Sequence, residues 1–274
     1  MGKISLLLVL LTVYSVSKNG IIPAAVAQGN GDKLIASEVK MVDDSVKTYL
    51  DSAAFFIRQE KGEEALKYYR KAAGLQRNNA EAYVGWINTS MQSGQTEEGM
   101  KAIDHWIKFN PENTRVWLYK AFLEAHMKHF ETSLFAFEML IKLQPEESGN
   151  WVGRGQMLME LKRYEEALDS FEKGSSMDSS GRTDVIGMKA AALSGLKRYD
   201  EALILINKLL VDFPAEASLI YNRACIFCLK GDKDNALNDL RRAIERDTSL
   251  KQYSKTDEDF KTLRNDDEFK KLTE

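Results

Sequence analysis

The chain has 274 residues, of which 44% are hydrophobic and 29% are charged, and its net charge is −3. It is too apolar for an intrinsically disordered chain and too rich in charge for a bundle of membrane-spanning helices. The small net charge also argues against nucleic acid as a partner, since nucleic-acid-binding domains carry a basic surface. With only four prolines in the chain, long helices are favoured over a loop-rich β architecture.

The N-terminal residues differ in character from the rest. An apolar run of 13 residues, ISLLLVLLTVYSV (Ile4–Val16), is shorter than the about 20 residues that a membrane-spanning helix needs. Its length is typical of the apolar part of a signal peptide, and Ala25 and Ala27 have the A-x-A spacing of a cleavage site. We therefore predict that residues 1–27 are a signal peptide cleaved after Ala27 and that the protein is exported, as a periplasmic, secreted or cell-surface protein. The alternative is an uncleaved segment that anchors the protein to a membrane.

A pattern with a period of 34 or 35 residues follows. Each period opens with a large apolar residue, has a small residue 16 positions later, and has a second large apolar residue four positions after that. The opening residues are Tyr49, Tyr83, Trp117, Trp151, Ile186 and Ile220. The small residues are Ala65, Gly99, Ser133, Ala167, Ala202 and Ala236, and the second large residues are Tyr69, Ile103, Phe137, Phe171, Ile206 and Leu240. We predict a linker or lead-in helix over residues 28–45 and six units over residues 46–250, bounded as 46–79, 80–113, 114–147, 148–182, 183–216 and 217–250.

Each unit is predicted to contain two helices joined by a turn. The near-identical stretches LKRYEEAL (Leu161–Leu168) and LKRYDEAL (Leu196–Leu203) are the same turn in adjacent units. After the turn in the fourth unit, Ala167, Phe171 and Gly174 recur at i, i+4 and i+7, on one face of a helix. Because neither helix can bury its apolar face alone, the units are expected to stack.

This pattern resembles the tetratricopeptide repeat, or TPR. The best matches are WLYKAF…FETSLFAFEMLIKLQP in the third unit, WVGRGQ…YEEALDSFEKG in the fourth and YDEALILINKLLVDFP in the fifth. The resemblance implies an all-α fold, a right-handed α-solenoid of about six stacked helix-turn-helix units. Residues 251–274, with Phe260, Leu263, Phe269 and Leu272 among charges, are predicted to form a helical cap on the last unit. The alternative for this segment is a frayed tail.

The resemblance also implies where a ligand would bind. The first helices of successive TPR units line a concave groove, and the fifth, ninth and twelfth positions of each unit face a ligand. The candidate partner-binding residues are Leu50, Val84, Asn88, Met91, Leu118, Phe122, Val152, Gln156, Met159, Tyr221 and Cys225. Most are apolar and suit an apolar helix or an extended peptide, while Asn88 and Gln156 can bond to a peptide backbone. The alternative is that these side chains only pack against neighbouring helices.

A basic residue occupies the seventh position of four consecutive units: Lys120, Arg154, Lys189 and Arg223. This cationic ladder could bind an acidic partner. We favour the other interpretation, in which each side chain lies beside its helix pair and meets an acidic residue such as Glu138, Glu172 or Asp239.

The sequence shows no catalytic constellation. It has no G-x-S-x-G, no glycine-rich phosphate loop and no H-E-x-x-H. Cys225 and Cys228 lie within one helix, where we expect buried packing rather than redox chemistry, and two thiols do not complete a zinc site. We therefore predict no enzyme activity, no cofactor and no metal.

The predicted function is a non-catalytic protein–protein interaction scaffold or adaptor that binds a peptide or a partner protein in its concave groove, outside the cytoplasm. The alternative is a self-associating structural scaffold, a homo-oligomer that its N-terminus anchors to a membrane.

Overall fold

The computed structural model describes the backbone of residues 30–177 and 183–274, and the side chains of residues 38–177 and 184–274. The predicted signal peptide, residues 1–27, lies outside the described residues. Within the described ranges, no helix combines the length and the apolar character that crossing a bilayer requires. No β-strand occurs in those ranges either.

The described residues form consecutive helix pairs. In chain order the pairs are α1 (Asn30–Arg58) with α2 (Gly62–Leu75), α3 (Ala80–Gln92) with α4 (Thr96–Phe109), α5 (Thr114–His126) with α6 (Phe130–Leu143), α7 (Ser148–Glu160) with α8 (Tyr164–Met177), α9 (Thr183–Gly195) with α10 (Tyr199–Asp212), and α11 (Ala217–Lys230) with α12 (Lys233–Arg246). The C-terminal segment consists of α13 (Leu250–Thr256), a 3₁₀ helix (Glu258–Leu263) and α14 (Asp267–Thr273).

Contacts follow the order of the chain. From α1 to α12, each helix packs on the helix before it and the helix after it. The first helices of neighbouring pairs also touch one another, α1 with α3, α7 with α9 and α9 with α11, so the first helices share one face of the array. The prediction of an all-α solenoid is confirmed.

The residues of the repeat pattern form the core. All six of the predicted small residues are buried, and the large residue four positions later is fully buried or nearly so in every pair except the first. Glycines let aromatic rings approach the backbone. A Cβ atom added at Gly153 would lie 2.2 Å from the Phe137 ring, and one added at Gly85 would lie 2.2 Å from the Tyr69 ring. Each ring therefore packs on the first helix of the following pair, at a site that only glycine can provide.

The tryptophans that open the third and fourth units also join neighbouring pairs. Trp117 Nε1 donates a hydrogen bond of 2.7 Å to the carbonyl oxygen of Pro111, and Trp151 Nε1 donates one of 2.8 Å to that of Pro145. In each case the proline lies in the loop between one pair and the next. The indole therefore satisfies a carbonyl group of that loop and fixes the entry into the new pair.

The turn within each pair has one conformation. Its N–H groups satisfy the end of the first helix, as in the bond of 2.8 Å from Arg163 N to Leu158 O. This is the pattern of a Schellman motif, which requires a residue with positive φ. That residue is Glu60, Gly94, Lys128, Lys162, Lys197 or Gly231, with φ between 58° and 88°. Four of the six turns therefore hold a side chain in the left-handed region, which costs about 1–2 kcal/mol for an L-residue.

We expect Lys162→Gly to raise the free energy of unfolding by about 0.5–1 kcal/mol, because glycine removes the left-handed cost but loses more backbone entropy on folding. Urea denaturation followed by circular dichroism would measure it as a higher midpoint at unchanged slope. Lys162→Ala is the matched control and should give no gain, since alanine also has a Cβ atom. Equal gains for both variants would mean that the lysine side chain, not the backbone conformation, is unfavourable.

The C-terminal segment covers the last pair. Phe260 and Phe269 are buried against Tyr221 and the α11–α12 core, and their rings lie 5.6 Å apart. Asp257 accepts a hydrogen bond from the N–H of Asp259, and Asp266 accepts one from Glu268, so each carboxylate caps the helix that follows it.

Candidate partner-binding groove

The predicted partner-binding residues divide into two groups by burial. Half-buried residues on the first helices are Leu50, Val84, Asn88, Met91, Leu118, Phe122, Gln156 and Met159, whereas Val152, Tyr221 and Cys225 are buried. The half-buried group extends from α1 to α7, so the exposed part of the predicted groove lies on the first four pairs.

A cleft of about 560 Å³ opens at the N-terminal end of this group. Its lining includes Ile57 from α1, Tyr69 from α2, Val84 and Asn88 from α3, and Arg115 from α5. The cleft thus brings two predicted binding residues together with three that were not among the predicted binding residues. The packing of Tyr69 on Gly85 forms part of the same wall.

Tyr119 lies beside the polar groups of the cleft. Its hydroxyl interacts with the side chains of Asn88 and Arg115. Burial raises the pKa of Tyr119, and the Arg115 charge and the polar interactions with both side chains partly offset the rise. Asn88, predicted to bond to a peptide backbone, therefore lies in the cleft lining near Tyr119 of a neighbouring first helix.

The next residues along the groove bridge adjacent helices. The Phe122 ring meets the Phe137 ring edge to face, with centroids 5.8 Å apart, and Gln156 Nε2 lies 3.7 Å from Met188 Sδ on α9. Each side chain is still half-buried rather than enclosed. These positions therefore contribute both to packing between helices and to the accessible face.

Two of the predicted partner-binding residues pack toward the second helices of the pairs. Val152 is buried, and a Cβ atom added at Gly174 on α8 would lie 3.0 Å from its Cγ2. Met91 lies over α4, with its sulfur 3.3 Å from the position of a Cβ atom at Gly99. For Val152 in particular, the packing interpretation describes the observed environment better than the ligand-contact interpretation.

Tyr221 and Cys225 require a correction. Both are buried because the C-terminal segment covers this end of the groove. The Tyr221 hydroxyl donates a hydrogen bond of 2.7 Å to Asp257 Oδ2, and the ring packs against Tyr253 and Phe260. These two residues therefore contact the protein's own chain and do not face an open groove.

The cationic ladder is paired, as favoured from the sequence. Each of the four basic side chains contacts an acidic residue on a second helix. The pairs, with their N–O distances, are Lys120 with Asp104 (2.8 Å), Arg154 with Glu138 (3.5 Å), Lys189 with Glu172 (3.9 Å) and Arg223 with Asp239 (2.6 Å). These side chains link helices within the array rather than form a cationic strip for an acidic partner.

The two cysteines are free thiols and are buried, as expected. Burial is the main cause that raises the pKa of both thiols, and the nearby Asp257 and Asp259 raise the pKa of Cys225 further. Burial and the charge of Asp257 also raise the pKa of Asp259. A thiol that resists ionisation is a poor redox nucleophile, which agrees with the expectation against redox chemistry.

The sequence patterns did not connect the cysteines with these two aspartates. The signal was present, because Asp259 follows Cys225 by 34 residues, one repeat period. The segment after residue 250 lacks the other markers of the repeat, so the period was not extended into it.

Comparison with known proteins identifies the array. Tetratricopeptide repeat models match residues 56–123 and, separately, residues 149–180 and 217–249. The matched residues are therefore tetratricopeptide repeats, which generally serve as non-catalytic scaffolds for protein–protein interactions. None of the curated proteins matches the sequence significantly.

Solved structures share the fold at low sequence identity. A tetratricopeptide repeat protein from Parabacteroides merdae ATCC 43184 has a TM-score of 0.62 at 17% identity, and the match covers 84% of this chain and 98% of that one. Pseudomonas aeruginosa pilF has a TM-score of 0.55 at 16% identity, with 81% and 98% covered. YrrB, described as a TPR protein with an unusual peptide-binding site, has a TM-score of 0.53 at 18% identity, with 68% and 97% covered.

Proposed function

We propose that this protein is a non-catalytic scaffold that binds a peptide or a partner protein along the first helices of its first four pairs, outside the cytoplasm. The observation that carries the proposal is the cleft in which Val84 and Ile57 supply apolar surface while Asn88 and Arg115 supply hydrogen-bond donors. An apolar anchor beside a few convergent polar groups is the usual composition of a recognition site. The peptide-binding site described for YrrB agrees with this proposal by analogy of fold.

The location outside the cytoplasm is supported by the N-terminal sequence, with its short apolar run and its A-x-A spacing at Ala25 and Ala27. Intact mass spectrometry of the protein from its native cells tests it. A mature chain that starts at Gln28 is the expected result. A full-length chain that fractionates with membranes would favour the anchored alternative.

Substitutions in the groove should reduce partner capture by at least about tenfold, which corresponds to a loss of 1.4 kcal/mol in binding. Val84→Lys places a charge in the cleft, and Phe122→Ala removes an aromatic contact further along the groove. Affinity capture from native cells, with partner abundance quantified by mass spectrometry, would measure the effect.

The matched control for Phe122→Ala is Phe135→Ala, which removes an aromatic ring that is 52% exposed on the second helix α6. Capture by this variant should equal that of the wild type. Thermal melts would confirm that each variant is folded at the capture temperature. Unchanged capture by folded Val84→Lys and Phe122→Ala variants would exclude the groove as the binding site.

Self-association is a second candidate function, because α1 exposes large apolar side chains near its N-terminal end. Val39 is 54% exposed and Met41 is 62% exposed, and clustered exposed apolar residues often mark an interface. Sedimentation velocity over a range of concentrations tests this candidate. A mass that rises with concentration in the wild type but not in a Val39→Lys/Met41→Lys variant would support it, and a constant monomer mass would exclude it.

A further inference from the structure

Three potential metal ligands meet where the C-terminal segment covers α11. The Cys225 sulfur and one carboxylate oxygen from each of Asp257 and Asp259 lie within 4.8 Å of one another. Cys225 is buried and both aspartates are half-buried. The three groups thus come from two elements, the helix α11 and the start of the 3₁₀ helix, that are distant in sequence by about one repeat.

The distances suit a small divalent cation. Zinc binds thiolate at about 2.3 Å and carboxylate at about 2.0–2.2 Å, which places a sulfur and an oxygen of one tetrahedral site roughly 3.5 Å apart. The Cys225 sulfur lies 3.9 Å from Asp257 Oδ2. For the Cys225 and Asp257 ligand atoms, a bound ion would therefore need only a small contraction.

The surroundings orient one of the carboxylates. The Tyr221 hydroxyl donates to Asp257 Oδ2 at 2.7 Å, and the Asp259 backbone N–H donates to Asp257 Oδ1 at 3.0 Å. Hydrogen bonds of this kind hold ligating carboxylates in known metal sites. The second thiol, Cys228, follows Cys225 by three residues on the same face of α11 and lies 3.4 Å from the Thr262 hydroxyl.

The charge of the cluster is not balanced by a protein cation within the described part of the chain. Neither Asp257 nor Asp259 forms an ion pair there. The nearby Arg264 donates instead to the carbonyl oxygens of Thr256 and Asp257 and to the Glu258 carboxylate. Two carboxylates and a thiol therefore share one partly buried space, and a divalent cation would compensate the carboxylates and the thiolate that forms when it binds.

We propose that Cys225, Asp257 and Asp259 bind a thiophilic divalent cation, with zinc the best match to this mixed sulfur and oxygen donor set. The ion would displace the thiol proton and join α11 to the C-terminal segment, so that metal binding stabilises the covered end of the array. This site revises the expectation of no metal and is separate from the proposed groove on the first four pairs.

Cobalt(II) titration of the full chain, reduced and stripped with a chelator, tests the proposal. The expected result is one equivalent of cobalt per chain, with a thiolate-to-cobalt charge-transfer band that zinc removes by displacement. Cys225→Ala should abolish the band, and Asp259→Asn should weaken cobalt affinity at least about tenfold. Zinc should raise the melting temperature of the wild type but not that of Cys225→Ala.

The matched control is Glu258→Gln. Glu258 lies between the two aspartates, but its carboxylate faces Arg264 instead of the thiols, so this variant should bind cobalt like the wild type. Tyr221→Phe keeps all three ligands and removes only the hydrogen bond to Asp257, so it should weaken binding about tenfold while keeping the charge-transfer band.

Circular dichroism would confirm the fold of each variant before titration. The absence of a charge-transfer band in the reduced wild type would overturn the proposal. Equal zinc stabilisation of the wild type and of folded Cys225→Ala would also overturn it, because the ion would then be bound elsewhere.

Discussion

Replacing Asp239 by alanine is expected to lower the free energy of unfolding by about 3 kcal/mol, which is typical of breaking a buried ion pair. The Asp239 side chain is only 3% exposed. It accepts hydrogen bonds from Arg223 Nε at 2.6 Å and Nη2 at 3.0 Å, and from Arg242 Nη1 at 2.9 Å. Without the carboxylate, the Arg223 guanidinium is left between two helices with Asn207 as its one remaining hydrogen-bond partner among the described residues.

Urea denaturation would measure this loss of stability, and another ion pair of the cationic ladder provides the control. Glu172 pairs with Lys189 at 3.9 Å and is 57% exposed, so Glu172→Gln should cost no more than about 1 kcal/mol. Replacing both partners, as in Arg223→Met/Asp239→Leu, should recover much of the loss, since the buried Arg223 charge is then gone and the Arg242 side chain that loses Asp239 is 38% exposed to solvent. A loss in the double variant as large as in Asp239→Ala would show that burial of a lone charge is not the cause.

Phe137→Ala is expected to lower the free energy of unfolding by about 4 kcal/mol, because it removes a ring that is 2% exposed and joins two pairs. Gly153→Ala should cost about 2 kcal/mol for the opposite reason, since its new Cβ atom would lie 2.2 Å from that ring.

The two changes should not be additive. In Phe137→Ala/Gly153→Ala the new methyl group can occupy part of the space that the ring vacated, so the double variant should be at least about 1 kcal/mol more stable than the sum of the single effects predicts. A double-mutant cycle by urea denaturation would test this. Strict additivity would mean that the ring and the glycine do not constrain each other.

The repeat period predicted the core and the ion pairs well, because both depend on spacing along the chain. Ser133 shows why the predicted small core position tolerates a residue other than alanine. Its side chain is buried at a position that usually holds alanine, and its hydroxyl donates to the Ala121 carbonyl at 2.7 Å. A small residue fits there as long as any polar atom finds a partner.

The C-terminal end could not be predicted from the same markers. Ser254 follows Ile220 by one period and is fully buried, so the spacing continues for one more helix, but a serine gives no apolar signal. The burial of Tyr221 and Cys225 depends on this continuation, and the sequence therefore placed them in an open groove. The cleft residues Tyr69 and Arg115 were missed for a related reason, because the cleft combines side chains from three pairs.

Within the described residues, the side-chain hydrogen bonds between different helices span at most 36 residues of sequence. Gln156 and Met188 are 32 residues apart, Gln76 and Asp43 are 33 apart, and Tyr221 and Asp257 are 36 apart. A chain with such local contacts has a low contact order, which favours fast folding. A pair can therefore find its partners as soon as about 36 more residues have left the ribosome, and the array can assemble progressively from its N-terminal end.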